Sequence, residues 1–313
     1  MRRTVSLFLA ILAGCWIGAV AVPASGEPLN VVTSVIPVAY IVEELGGERV
    51  TVHALVPPGA SPHTFEPVPS DLRTLAGARV FVAIGGGFDG WSDRLLGAAP
   101  KGIEAMHLIE APNLNPVEGE DDHHGEETAK EEDHHGEEEF NPHFWLDPIR
   151  VRDALVPVLV QGLMAADPAG KDHYEKRRKD FHQRLTALDQ EIRTELDKAK
   201  TRKYIAFHAA WPYFAERYGL EKVAVVQEFG GEEPTPREVA TLVRDARAAG
   251  VGAILVEPQL NPRVAQTIAA EFGAGTVVVD PVGDPGDPAR DSYEDLMRFN
   301  ARAFGQALQG KRN

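Results

Sequence analysis

The chain has 313 residues, with 47 acidic and 32 basic side chains and a formal net charge of −15. Residues 118–139 carry −11 of that charge, so the rest of the chain carries only −4. Because the chain has no excess of basic residues, we do not expect it to bind nucleic acid. Its length suffices for one large or two moderate domains.

The amino terminus predicts an export signal over residues 1–26. Arg2 and Arg3 precede an apolar run from Val5 to about Val22, and small residues follow at 24–26. We therefore expect a periplasmic or otherwise extracytoplasmic protein that is soluble after signal cleavage. The alternative is a lipid anchor, because Leu12 to Cys15 reads Leu-Ala-Gly-Cys, the signal of lipoproteins. Cys15 is the only cysteine, so no internal disulfide is expected.

Short apolar runs alternate with helical stretches, a pattern typical of parallel α/β units. Four runs are predicted as strands in the first half: 29–35, 50–56, 80–84 and 103–109. Four more are predicted in the second half: 203–208, 222–228, 253–257 and 276–280. The fold class predicted is α/β, with two similar lobes at residues 27–168 and 201–313, each a parallel four-stranded sheet with flanking helices.

Residues 118–139 form an acidic, histidine-rich segment in which Asp-His-His-Gly-Glu-Glu occurs twice. Imidazole is a good donor for Zn²⁺, Cu²⁺ and Ni²⁺, and carboxylates add charge attraction. The segment contains no apolar run that could join a core, so it is predicted to be a solvated insertion. Weak secondary metal sites are predicted at its histidines: His123, His124, His134 and His135. The alternative is a merely solubilising acidic loop.

A single linking helix is predicted over residues 169–200. No proline or glycine interrupts residues 171–200, which gives a helix of about 30 residues and roughly 45 Å at 1.5 Å per residue. Its apolar residues fall on one stripe: Tyr174, Phe181, Leu185, Leu188, Ile192 and Leu196. A continuous helix packed on both lobes should restrict them to small relative movements.

Four candidate metal ligands lie at or just beyond the ends of predicted strands or after the acidic segment: His63, His143, His208 and Asp280. Open α/β sheets bind ligands at the carboxyl ends of their strands. Two of the four come from each half of the chain, so the sequence predicts a site between the lobes.

Around these residues the sequence reads PHTFEP, NPHFWLDP and VDPVG. In these motifs and their order, the chain resembles the zinc- or manganese-binding proteins of ABC importers (the metal-binding cluster A-I). The resemblance implies two α/β lobes, a long rigid helix and a metal bound between the lobes by His63, His143, His208 and Asp280. It also implies delivery to a membrane permease driven by a cytoplasmic ATPase, while a zinc-donating chaperone is a further possible partner and the chain is expected to be a monomer.

Three imidazoles and one carboxylate favour tetrahedral Zn²⁺. Manganese-selective relatives usually place a carboxylate where His208 stands, so manganese is the alternative cargo. A secreted zinc hydrolase is a second alternative, but four protein ligands would close the position that catalytic zinc keeps open, and no HExxH motif occurs. A surface adhesin is a third reading, and no sequence patch supports it. The chain is therefore expected not to be an enzyme.

Overall fold

The computed structural model describes residues 27–118, 140–227 and 235–310. The predicted signal peptide, Cys15 and the four histidines of the acidic segment lie outside these ranges. The two flanks of that segment are described, and Glu118 and Phe140 form an antiparallel bridge. The described residues on the two sides of the acidic segment therefore lie next to each other.

Within the described ranges, eight parallel strands form two sheets of four, which confirms the predicted fold class. The first sheet contains β1 (Leu29–Thr33), β2 (Val50–Ala54), β3 (Val80–Ala83) and β4 (Glu104–His107) in the order β2-β1-β3-β4. The second contains β5 (Lys203–His208), β6 (Glu221–Gln227), β7 (Ala253–Val256) and β8 (Gly275–Val278) in the order β6-β5-β7-β8. The two lobes thus repeat one topology.

Helices cover the sheets, which is why the central strands are apolar on both faces. In the first part of the chain the helices are α1 (Ile36–Gly46), α2 (Pro69–Ala76), α3 (Trp91–Ala98), α4 (Pro148–Arg150), one π-helical turn (Val151–Leu155) and α5 (Val156–Ala166). The remaining helices are α6 (Lys171–Leu196), α7 (Pro212–Tyr218), α8 (Pro236–Ala249), α9 (Pro262–Glu271) and α10 (Tyr293–Ala307).

The long helix α6 has 26 residues, about 39 Å at 1.5 Å per residue. It lies inside the predicted range and ends at Leu196, where Asp197 donates its backbone N–H to Arg193. Its predicted apolar stripe is buried along the whole helix, and the helix packs against α1, α4, α5 and α10. Within the three described ranges, no helix is both long and apolar enough to span a membrane.

One hydrophobic core runs through both lobes, and a second lies on the far face of the second sheet. The strand β5 contributes to both, because Tyr204 and Ala206 point into the first core while Ile205 and Phe207 point into the second. Alternate side chains of a strand face opposite sides of the sheet. The end of β5 is therefore anchored by packing on both faces.

A buried carboxylate, that of Asp147, joins the two lobes. Asp147 is completely buried, and its side chain accepts hydrogen bonds from the backbone of Ile149 and Arg150 at the start of α4. It also accepts from the guanidinium groups of Arg150 (2.8 Å) and of Arg217 on α7 (2.8 Å for each of two bonds). We call Asp147, Arg150 and Arg217 the interlobe clasp.

Candidate metal centre

Three of the four predicted ligands converge between the lobes. His63 lies in a short 3-10 turn after β2, His143 immediately precedes another such turn, and His208 is the last residue of β5. Each offers a ligand nitrogen, and these nitrogens all lie within 4.8 Å of one another. His143 and His208 are buried, with 3% and 4% exposure, and His63 is partly buried. Among the described residues this is the only such group of three or more.

The spacing of the nitrogens fits a tetrahedral metal. The Nε2 atoms of His63 and His143 are 3.3 Å apart. Two nitrogens bound to tetrahedral Zn²⁺ at about 2.0–2.1 Å would be separated by about 3.3–3.4 Å. The His208 ring centre lies 4.9 Å from that of His63 and 5.0 Å from that of His143. The donor set and its geometry therefore suit zinc.

The three histidines line a cavity of about 10 Å³. A cavity of that size has room for about one water-sized body, so it fits a single ion. Phe88 and Trp145 form aromatic walls, with the Phe88 ring 4.8 Å from His63 and edge-on to it. Trp145 also joins the lobes, because its Nε1 donates to the Pro281 carbonyl at 2.8 Å.

Phe88 reaches the cavity from the loop after β3. Gly85, Gly86 and Gly87 all have positive φ angles of 64–87°, a conformation that favours glycine. The buried Asp89 accepts from the backbone N–H groups of Ile84 and Gly85 at 2.7 and 2.8 Å. This loop wall was not among the residues predicted from the sequence.

Asp280, the fourth predicted ligand, lies outside the group of three. It is buried beyond the end of β8, and its neighbours Pro281 and Val282 line the cavity. Its carboxylate is engaged by Arg290 at 2.5 Å, by Gln259 Nε2 at 2.9 Å and by the Val282 backbone N–H at 2.9 Å. In this arrangement both carboxylate oxygens have partners from the C-terminal lobe.

Two polar residues that contact the converging histidines were not predicted to have a role. Glu257 is buried, and its Oε2 lies 3.2 Å from His208 Nδ1. Asn141 Oδ1 lies 3.0 Å from His143 Nδ1. The strand-end position of Glu257 is visible in the sequence, but its contact requires that β7 pair with β5, where Ala206 lies opposite Leu255. Extending that register by two residues brings His208 level with Glu257, which agrees with the 3.2 Å contact.

The site holds His63 and His143 in the neutral form. Burial lowers the pKa of His63 to about 3, with a further lowering from the neighbouring His208 ring. Burial also holds the pKa of His143 well below the usual value of about 6.5, and His208 and His63 add to the effect. A neutral imidazole is the form that binds a metal, so these two donors are ready for metal at neutral pH.

The metal-free protein should lose stability as the pH falls from about 6.5 toward about 3. In that window the unfolded chain binds more protons, because its histidines have an ordinary pKa, whereas folded His63 and His143 stay neutral. The free energy of unfolding therefore rises with pH there, and this contribution is fully present above about pH 6.5. Denaturant unfolding between about pH 5 and 7.5 measures the slope. The His63→Gln variant should give a shallower slope, and equal slopes would contradict the pKa direction of His63.

The chain is similar in sequence to known proteins of metal uptake. The family model described as "ZnuA: Zinc-uptake complex component A periplasmic" matches residues 31–307. "High-affinity zinc uptake system protein ZnuA" of Bacillus subtilis (strain 168) is 29% identical over 289 residues, covering 90% of this chain and 88% of that protein. "Manganese-binding lipoprotein MntA" of Halalkalibacterium halodurans is 29% identical over 303 residues, covering 95% of this chain and 94% of that protein.

The fold gives the same result. A crystal structure of ZnuA aligns with a TM-score of 0.77 at 28% identity, covering 90% of this chain and 100% of that one. The family match spans nearly the whole chain, and the matched region contains all three converging histidines. The chain belongs to the ZnuA family of substrate-binding proteins of metal ABC importers.

Proposed function

We propose that this chain is an extracytoplasmic zinc-binding protein that captures Zn²⁺ and delivers it to an ABC importer. The observation that carries the proposal is the convergence of His63, His143 and His208 on a cavity sized for one ion between the lobes. Membership of the ZnuA family supports the same function. The partners are a membrane permease and its ATPase.

Zinc is the proposed cargo because the converging donors are imidazoles. Mn²⁺ prefers oxygen ligands, whereas imidazole nitrogen suits Zn²⁺. A manganese-binding relative is as similar in sequence as the zinc-uptake relative, so overall identity does not decide between the two metals. The three imidazole donors favour zinc over manganese.

The proposed ligands are His63, His143, His208 and Asp280. We propose that Asp280 joins the three histidines by exchanging a present partner of its carboxylate, such as Arg290 or Gln259, for the metal. That exchange costs free energy, so the proposed contribution of Asp280 is smaller than that of a histidine. A water molecule would complete a tetrahedral site until Asp280 binds.

The proposal does not include catalysis. The family comprises substrate-binding proteins of ABC importers, which are not enzymes. The cavity of about 10 Å³ also leaves no room for an organic substrate beside a bound ion. The secreted hydrolase considered from the sequence is therefore set aside.

Several finer points extend the proposal. We assign weak secondary zinc binding to His123, His124, His134 and His135 of the acidic segment, whose flanks Glu118 and Phe140 meet one residue before Asn141. We propose that the mature protein is soluble after signal cleavage. The alternative is a protein anchored to the membrane by a lipid on Cys15. We also propose that the protein is a monomer and that a chaperone donates zinc to it.

Metal titration of the chain with and without residues 118–139 tests the proposed function. We expect one tight zinc per molecule in both proteins, additional weaker zinc only in the intact chain, and weaker manganese binding in both. Ordering a flexible segment costs about 1–2 kcal/mol per residue fixed, which explains why the segment's sites should be weaker. Competition with a chelator of known affinity separates the two classes of site. Loss of the tight site on deletion, or tighter binding of manganese than of zinc, would contradict the proposal.

A further inference from the structure

Two of the three converging histidines have their Nδ1 atoms engaged by a polar side chain. Glu257 contacts His208, and Asn141 contacts His143. A histidine can bind a metal through either ring nitrogen, and the hydrogen bond made by one nitrogen decides which is left for the metal. These two contacts therefore bear on which nitrogen faces the cavity.

Glu257 occupies both of its oxygens with groups around His208. Its Oε2 lies 3.2 Å from His208 Nδ1, and its Oε1 accepts from Trp211 Nε1 at 3.2 Å. The side chains of His208 and Glu257 are 5% and 4% exposed. The carboxylate is held by its strand position and by Trp211, so it can fix the plane of the imidazole as well as its protonated nitrogen.

Asn141 contacts the site from two directions. Its Oδ1 accepts from the backbone N–H of His143 at 3.1 Å and lies 3.0 Å from His143 Nδ1. Its Nδ2 donates to the carbonyl of Ala209 at 2.8 Å, next to His208. One side chain thus orients the His143 ring and ties it to the strand end that carries the ligand from the other lobe.

We propose that Asn141 and Glu257 are positioning residues that impose Nε2 coordination on His143 and His208. This inference rests on the proposed zinc function and deepens it. An acceptor opposite Nδ1 keeps the proton on that nitrogen and leaves the Nε2 lone pair for the metal. The 3.3 Å separation of the Nε2 atoms of His63 and His143 matches this assignment.

Glu257 also supplies charge. Three neutral imidazoles leave a bound Zn²⁺ with its full charge of +2 in a buried cavity, where an uncompensated charge is costly. The Asp280 carboxylate is already paired with Arg290. The Glu257 carboxylate contacts His208 and Trp211 and lies one imidazole away from the cavity, so its charge is placed to offset that of the metal.

The test uses variants that change the acceptors. Glu257→Gln keeps one carbonyl oxygen and loses the charge, so it cannot serve both His208 and Trp211. Asn141→Leu removes the acceptor and the donor, whereas Asn141→Asp keeps an acceptor for His143 and loses the donor to Ala209. The matched control is Glu294→Gln, which changes another buried glutamate, one that pairs with Arg184.

Two measurements are made on each full-length variant: zinc affinity by chelator competition, and the histidine tautomers of the metal-free protein by ¹⁵N NMR. We expect Glu257→Gln and Asn141→Leu to weaken zinc binding about 10–100-fold, the usual cost of losing such a partner. Metal-free wild type should show Nδ1-protonated His143 and His208. Asn141→Leu should lose that preference at His143, Asn141→Asp should retain it, and Glu294→Gln should match wild type in both measurements.

The outcomes separate this inference from the proposed function. Wild type that binds no zinc would overturn the function, and the tautomers would still report on the positioning role. Wild-type zinc affinity in both Glu257→Gln and Asn141→Leu would overturn the inference. Weakened zinc binding with unchanged tautomers would also overturn it, because the residues would then act through general structure. Unfolding midpoints of the metal-free variants show whether each remains folded.

Discussion

Replacing His208 by alanine should lower the zinc affinity of the chain by about 10²–10³-fold. A four-ligand structural zinc site contributes about 10–16 kcal/mol, so each donor accounts for about 2.5–4 kcal/mol, and every 1.4 kcal/mol is tenfold in affinity. His208 lies at the end of β5, which is packed on both faces, so the neighbouring backbone cannot move another donor into its place. Chelator competition on the full-length variant measures the change.

The control for this variant is His107→Ala. His107 ends β4, is partly exposed, has its Nε2 3.0 Å from Asp93, and is not one of the three converging histidines. Its loss should leave zinc affinity unchanged. Asp280→Asn should fall between the two, with a loss on the order of tenfold, because binding of Asp280 is offset by release of its present partners. Undiminished affinity in His208→Ala would remove the proposed site.

Asp147→Ala should destabilise the folded protein by about 3 kcal/mol. Removing one partner of a buried ion pair costs about 3–5 kcal/mol because it leaves the other charge uncompensated. The side chains of Arg150 and Arg217 are 11% and 26% exposed, so partial contact with water places the expected loss at the lower end. Asp147 also caps α4, and losing a cap costs about 1 kcal/mol within that total.

Denaturant unfolding of the metal-free protein measures this loss. The matched control is Asp153→Ala, because Asp153 pairs with Arg152 while its side chain is 48% exposed. A surface pair of that kind contributes less than about 1 kcal/mol. Similar losses in the two variants would mean that the interlobe clasp contributes no more than a surface ion pair.

Much of the architecture could be predicted from local patterns. Strand β5 has the predicted bounds, and the stripe on α6 is buried as its 3.6-residue period predicts. His63, His143 and His208 were predicted as ligands from strand-end positions together with the resemblance of their motifs to a metal-binding family, and the structure brings these three together. Local periodicity was sufficient for the architecture, whereas His143, which follows the acidic segment, depended on the motif.

The contacts that the sequence did not predict join residues that are far apart along the chain. Glu257 is 49 residues from His208, and the sequence does not reveal that β7 lies next to β5. Asp280 lies just beyond the end of β8, which stops at Val278 and not at the predicted residue 280, and the path of the following loop brings Arg290 onto its carboxylate. Asn141 stands in the same motif as His143, so its proximity was visible, whereas its bond to Ala209 of the other lobe was not.

The small cavity has a consequence for how long a metal stays bound. It has room for about one water-sized body, whereas a hydrated divalent cation carries a shell of several waters. The ion must therefore shed that shell as the imidazoles replace it. The hydrogen bonds from Trp145 to Pro281 and from Asn141 to Ala209 join the lobes that carry these histidines, so breaking them would separate the groups that hold the ion. A transporter that pulls these contacts apart would control the moment of release without altering any ligand.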